Sequence, residues 1–485
     1  MPRAIRIVLR NFVGLFLSVG LLVCGSNARA QTLPTQDALW AWDNTDGKLA
    51  VCSNPASQAA IDDCFSGYVS DVTAVSQLIA TDGANVYAAT RNSGWGYKCP
   101  IAGPGPNNVN CEKILVGPFN PNAYDSNDVY VTAIVAGNGY IWTAQLDGSI
   151  WRCPDNITWT GSVPSSFNDI TAVECVQLDI SGRPSPSDKY RYPSSLVLVG
   201  DTLYAGLRQR IEGKLDGLIW SCSSMTPDSC TTLDNMGQGS VLSVAVGAGF
   251  LWAGLDNNIV WRCDLTTANS CSDWNKAGNG ILLMAYDGQG ALGIGTGPSG
   301  TGVLWSCPTS YKNGCTTLLS GKNVFFGVAA GKGNVWGSYQ YNFSIGNEQF
   351  AISLNGTNFK KFSGSAAPNL LFIPAGGPTT LGSARVQVPF VEDAKRLATF
   401  CAKKGRRTMA DVSVSGPYGM KVKRRVNLCK LYDANAVRSE IKFGALDHGQ
   451  YRVTVQSRSF YGQADFVLND NNVQDVSVTL RKRRK

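Results

Sequence analysis

Fourteen cysteines follow Cys24, and they fall into pairs close in sequence: Cys52 with Cys64, Cys99 with Cys111, Cys153 with Cys175, Cys222 with Cys230, Cys263 with Cys271, Cys307 with Cys315, and Cys401 with Cys429. Clustered cysteine serves two chemistries, thiolate ligation of a metal and oxidation to disulfides. Structural zinc takes its ligands from C-x-x-C elements or histidines. The chain has no C-x-x-C element, and its one histidine is His448. An even set of local pairs fits seven disulfides, and neither a metal nor another cofactor is expected.

Other catalytic constellations are incomplete. Ser-His-Asp and Cys-His sites need a histidine beside a nucleophile, whereas His448 lies in the turn of "FGALDHGQYRVTV". "GIGTGPSGTG" from Gly293 reads as a glycine-rich hairpin loop, because it does not follow a strand and open a helix as a phosphate-binding loop must. A hydrolase or lyase built from carboxylates, or from Tyr and Arg, stays open.

Two groups of residues suit binding instead. The stretches "SGRPSPSDKYRYPS" and "RQRIEGKLDG" interleave Arg183, Lys189, Tyr190, Arg191 and Tyr192 with Arg208, Arg210 and Lys214, and Arg91 and Trp95 lie in a corresponding loop. Aromatic faces stack on sugar rings and guanidinium groups fork onto carboxylate or sulfate. The second group is cationic: Lys403, Lys404, Arg406 and Arg407, then Lys421, Lys423, Arg424 and Arg425, then the terminal "RKRRK". Such clusters hold polyanions through many weak, salt-sensitive contacts.

The chain's opening sets the compartment. Arg3, Arg6 and Arg10 precede an apolar run from Phe12 to Cys24, and Ala28-Arg29-Ala30 offers a small-x-small cleavage site. That is the layout of a secretory signal over residues 1–30, although an uncleaved anchor would share much of it. No later segment is apolar enough for a helical span, so no transmembrane anchor is expected. Secretion agrees with oxidised cysteines. The sequons at Asn156, Asn342 and Asn355 would accept glycans in a eukaryotic host. The partners expected are acidic polysaccharide or extracellular protein rather than nucleic acid.

The elements that must position these groups are short strands. "FLWAGLDNNIVWRC" follows "SVLSVAV", and close copies occur as "IWTAQLDGSIWRCP", "VYAATRNSGWGYKC", "LYAGL" with "GLIWSC", "VLWSC" and "LWAWDNTDGKLAVC". Trp220, Trp261 and Trp305 stand 41 and 44 residues apart. A period of this length, holding several strands, marks a propeller blade. Strand A is "SVLSVAV", B is "FLWAGL", C is "IVWRC" and D begins near Cys271, so Cys263 and Cys271 clamp the outer hairpin. Six such units and a seventh without cysteine give seven blades over 31–374. "NLLFIPAGG" from Asn369 supplies the inner strand that blade 1 lacks. Rings of six or eight blades remain alternatives. In this order the B–C and D–A loops share one face, and the A–B turns and C–D clamps share the other. The insertions 116–128, 179–193 and 208–216 therefore gather on the unclamped face.

The chain resembles the β-propeller superfamily over about residues 38 to 375. Its W-x-C-x(7)-C blade lacks the Gly-His and Trp-Asp pairs of WD repeats and the double glycine of kelch repeats, and its "G.IW" strands come nearest to tectonin-type propellers. Beyond "PAGGPTT" the composition changes: residues 375–485 carry 21 Lys and Arg against 9 Asp and Glu, while 31–374 carry 18 against 26. Strands are expected at 409–416, 424–432, 439–446, 449–459, 464–470 and 473–480, as a small β-sandwich. "FGALDHGQYRVTV" resembles carboxypeptidase-regulatory-like and collagen-adhesin-type domains, which implies a structural accessory module. The whole reads as an all-β secreted protein that binds or scaffolds without catalysis, its basic part holding acidic matrix or docking on the acidic propeller of its own or another copy. The alternative is an extracellular carbohydrate-active enzyme with its site at the channel mouth.

Overall fold

The computed structural model describes residues 38–43, 48–53, 78–89, 95–101, 111–117, 131–156, 175–178, 191–209, 217–223, 230–235, 239–257, 259–265, 270–276, 279–286, 290–296, 302–309, 312–320, 323–331, 334–341, 348–353, 359–363, 369–373, 382–387, 409–416, 421–431, 440–446, 449–458, 460–468 and 473–482. The expected signal, residues 1–30, and the partner cysteines Cys64 and Cys401 lie outside them. Among the described residues no helix is long and apolar enough to cross a membrane.

Alternation of apolar and polar residues dictates short strands, and tight turns join them. In blade 5, Val241–Gly247, Phe250–Leu255, Ile259–Asp264 and Ser272–Lys276 pair in sequence order as an antiparallel sheet. The turn between its first two strands holds Ala248 and Gly249 at φ 53° and 80°, and Asn138 and Gly139 do the same in blade 3. Two consecutive positive-φ residues make the primed turn whose twist matches a hairpin.

Blades 2, 3, 4, 6 and 7 repeat this four-stranded order, starting at Leu78, Val131, Arg191, Asn279 and Asn323. Blade 1 is the exception. Its strands Ala38–Asp43 and Lys48–Ser53 are joined by Asn369–Ile373, with Trp40 opposite Leu371. The C-terminal end of the ring thus completes the first sheet, as "NLLFIPAGG" predicts. The innermost strands touch one another in succession from Leu78–Thr81 round to Asn369–Ile373 and back to Leu78–Thr81. Among the described residues seven antiparallel sheets form a closed ring, the architecture of a β-propeller, whose radial packing leaves only short, protected strand edges.

One side chain per blade fills the space between sheets. The equivalent positions of the second strands are Trp40, Tyr87, Trp142, Tyr204, Trp252, Leu292 and Trp336, all buried. Each stands opposite a small or aliphatic residue of the inner strand, such as Val135 for Trp142 and Ala245 for Trp252. Burial of such large surfaces dominates the stability of the ring.

Hydroxyl groups then zip the inner strands together. Ser194 donates to the Val241 carbonyl at 2.5 Å, and Ser195 accepts from the Val244 N–H at 3.1 Å. Ser243 accepts from the Met284 N–H at 3.0 Å, and Thr132 donates to the Pro193 carbonyl. Register shifts at 131/133 and 193/195 leave Thr132 and Ser194 without a cross-strand partner residue, and these two are the donors.

The clamps close within blades. Disulfides join Cys99–Cys111, Cys153–Cys175, Cys222–Cys230, Cys263–Cys271 and Cys307–Cys315. Cys52 and Cys429 are disulfide-bonded as well.

Beyond the ring lie two further sheets. One has the order Glu440–Leu446, Gly382–Gln387, Val473–Ser477. The other has the order Lys421–Asn427, Met409–Ser415, Gly449–Ser457, Phe460–Leu468, Arg481–Lys482. Their inner faces share Val386, Val412, Val414, Phe443, Val453, Val455, Phe466 and Val476, which makes a β-sandwich. The recurring Phe443, Leu446, Tyr451, Val453 and Val455 are all buried, so that sequence pattern encodes core.

Two strand expectations need correction, and a further strand lies outside them. The stretch 424–432 is not one strand: the strand is Lys421–Asn427, and Leu428–Leu431 is a helical turn. Asn427 caps it, accepting the Cys429 N–H at 3.1 Å. The strand expected to start at 464 begins at Phe460. Gly382–Gln387 was not expected at all, and it pairs in parallel with Val473–Ser477.

Candidate functional site

The residues of the unclamped face divide sharply. Arg91, Arg183, Lys189, Tyr190, Arg210 and Lys214 lie outside the described residues. Trp95, Arg191, Tyr192 and Arg208 belong to strands rather than to loops. Tyr192 stands directly opposite Arg208, and Arg191 opposite Gln209, at the loop end of the inner hairpin of blade 4. Arg208 is exposed. Trp95 opens the third strand of blade 2 and packs edge-on against Tyr97 at 5.4 Å, with Lys113 Nζ 5.3 Å from its ring. Blade 3 separates it from the Tyr192–Arg208 pair.

The clamped face is built differently. In blade 2, Tyr87 donates to Asp82 at 2.6 Å and to Asp155 of blade 3 at 3.1 Å. Lys98 Nζ donates to the Asp155 carbonyl at 2.9 Å. Burial, then the charge of Asp82, pushes the Tyr87 hydroxyl well above the usual phenol range. Tyr204 of blade 4 reaches the Leu265 carbonyl of blade 5, and burial pushes it up to about 12.

The Trp-Arg-Cys spelling belongs to the same system. Arg152 lies opposite Trp142 and Arg262 opposite Trp252 across the second and third strands. The Arg152 guanidinium sits 4.6 Å from the Tyr140 ring centre. The Arg262 guanidinium is held 3.3 Å from Trp274 and 4.1 Å from Phe250, and donates to the Thr309 carbonyl of blade 6 at 2.9 Å. The cysteine fixes the strand end, and in blade 5 the arginine beside it fastens one blade to the next. Burial pulls the Arg262 guanidinium down to about 10.

Here the ring meets the sandwich. Arg424 donates to Asp264 at 3.1 Å and forms an ion pair with its second oxygen at 3.0 Å. The same guanidinium lies 5.2 Å from the Phe443 ring. Thr309 donates to the Lys421 carbonyl. Ala248, Phe250, Trp252 and Trp274 join Phe443 and the sandwich residues in one buried cluster. The sandwich therefore docks on the clamped face of blades 5 and 6 of its own ring.

This contact sorts the second group of cations. Arg424 faces inward and is engaged by Asp264, while Lys421, Lys423 and Arg425 of the same strand are exposed. A strand's period of two makes that division. Lys423 pairs with Asp411 at 2.9 Å. Lys403, Lys404, Arg406, Arg407 and the last three residues of the basic tail lie outside the described residues. Sequence reading missed Arg452 and Tyr461, which stand exposed on the same sheet; period-two alternation in "GQYRVTVQS" and "FYGQADFVL" carries the signal, and Arg481 of the terminal basic run joins them as an edge strand. Among the described residues no group of His, Cys, Asp or Glu is placed to hold a metal ion.

No family model matches the chain. No curated protein matches it either. Among solved structures it is similar to apo AztD from Citrobacter koseri, at 10% identity and a TM-score of 0.44, over 71% of this chain and 99% of that one. It is also similar to BamB from Moraxella catarrhalis, at 12% identity and a TM-score of 0.36, over 67% of this chain and 88% of that one. A computationally designed protein, Ika8, gives 8% identity and a TM-score of 0.35 over 62% and 93%. The propeller fold rests on the sheet order and the ring of inner strands, not on these likenesses.

Proposed function

We propose that this is a secreted, non-catalytic binding protein whose basic C-terminal sandwich anchors it to acidic extracellular polysaccharide. In this reading the mature chain runs from about residue 31, and the unclamped face of the seven-bladed ring receives a glycan or protein ligand. One observation supports the anchoring role above others. The strand Lys421–Asn427 spends Arg424 on the ring and turns Lys421, Lys423 and Arg425 to solvent. A cationic sheet held rigidly on a scaffold loses less conformational freedom on binding than a flexible basic tail. The disulfides fit an oxidising compartment.

The test is retention of the mature chain on heparin and polygalacturonate resins. Elution above physiological salt is expected from at least one. Passage through both at low salt would overturn the proposal.

A further inference from the structure

Resting on that reading, we infer that the outer face of the five-stranded sheet is the binding platform, and that its ligand is a linear acidic polysaccharide lying across the strands. Register places the side chains in rows. One row runs Arg425, Asp411, Gln456, Tyr461, Arg481 across all five strands. The next runs Lys423, Ser413, Thr454, Gln463, and a third runs Lys421, Ser415, Arg452, Asp465. With neighbouring strands about 4.8 Å apart, a row of five spans about 19 Å, and successive rows lie about 7 Å apart. That is a surface long enough for several sugar rings.

The chemistry of the rows selects the ligand. Both acids are already neutralised by neighbours. Asp411 takes Lys423, and Asp465 takes Arg452 in a forked pair at 2.6 and 3.1 Å. The bond from Arg452 holds the Asp465 carboxyl below its usual range. Lys421, Arg425 and Arg481 have no acidic partner among the described residues and remain for sulfate or carboxylate groups. Between the cations stand hydroxyl and amide side chains suited to sugar hydroxyls, and the exposed Tyr461 ring lies beside Arg481. The exposed apolar side chains of this face, Met409 and Val467, sit at separate corners. An anionic membrane would favour a contiguous apolar patch there, so the surface fits polysaccharide better.

The test uses the mature full-length chain with three probes: heparin for sulfate, polygalacturonate for carboxylate, and vesicles containing phosphatidylserine. The variants are Arg425→Ala with Arg481→Ala, Tyr461→Ala, and Arg425→Lys with Arg481→Lys. The double alanine variant should bind the preferred polysaccharide about tenfold more weakly at physiological salt. Tyr461→Ala should weaken it severalfold, and the lysine variant should keep most of the affinity. All should retain the parent's melting temperature, since the altered side chains are exposed. Parent binding with no loss in the alanine variants would overturn this platform while leaving basic anchoring intact, because other clusters would then carry it. No binding by the parent would overturn the anchoring itself. Vesicle binding that exceeds binding to both polysaccharides would overturn the ligand class.

Discussion

Replacing Asp264 with Asn keeps the size of the side chain and removes a negative charge shared by the Arg262 and Arg424 guanidinium groups. Arg424 and Asp264 are 17% and 23% exposed, and their contacts are 3.0 and 3.1 Å long. Exposed pairs contribute about 0–1 kcal/mol. Removing one partner of a fully buried pair costs about 3–5 kcal/mol. Burial here lies between those limits, which gives about 2 kcal/mol for Asp264→Asn. Arg424→Met puts an unbranched apolar side chain beside Phe443, where the guanidinium now lies, and leaves Asp264 near Arg262, so its cost should be smaller, about 1 kcal/mol. The double variant should cost less than the sum of the two, with a coupling of at least about 0.5 kcal/mol. Hydrogen exchange of the amides in Lys421–Asn427 measures this, because opening of the docked sheet exposes them. Strictly additive losses, or no change in exchange, would show that this pair does not hold the sandwich to the ring.

Three further outcomes follow from the geometry. Cys263→Ser with Cys271→Ser opens a clamp of sequence separation 8 and should cost about 2–3 kcal/mol on the chain-entropy account; an unchanged melting temperature would contradict a holding role for the clamp. Gly293→Ala would put a methyl group 2.0 Å from the Trp305 ring, so a loss of about 1–3 kcal/mol is expected in denaturant unfolding, and a neutral result would count against that packing. Burial raises the hydroxyls of Tyr87 and Tyr204, so both stay protonated in the folded chain while the unfolded chain ionises near pH 10. Stability from these groups is complete below about pH 10 and falls as pH rises through the higher folded values. Tyr87→Phe with Tyr204→Phe should flatten that alkaline decline in circular dichroism, and superimposable curves would remove these groups as its cause.

The ring was legible because each blade repeats its own reason for folding. Alternation in "SVLSVAV" and "FLWAGL" gives hairpins, the tryptophan period gives the repeat, and the missing inner strand of blade 1 demanded a donor that "NLLFIPAGG" could supply. Local cysteine spacing gave the five clamps seen between described residues. What stayed hidden depends on register between distant segments. Nothing near Gly382–Gln387 announces a parallel partner ninety residues onward, because parallel pairing leaves no turn signal. Arg424 reads like its neighbours in "KVKRRV", and only the position of Asp264 in blade 5 separates it from them. The opposed charge of the two halves suggested docking of the basic part on an acidic ring, of its own or another copy, but not which faces meet. The rows containing Tyr461 and Arg481 likewise become a surface only when five strands align.

Hydrogen exchange across the mature chain, with and without a heparin oligosaccharide, tests the central claim most directly. Protection should appear in Lys421–Asn427, Gly449–Ser457 and Phe460–Leu468, with the ring unchanged. Protection confined to the unclamped face, near Tyr192 and Arg208, would place polyanion binding on the propeller and contradict the account.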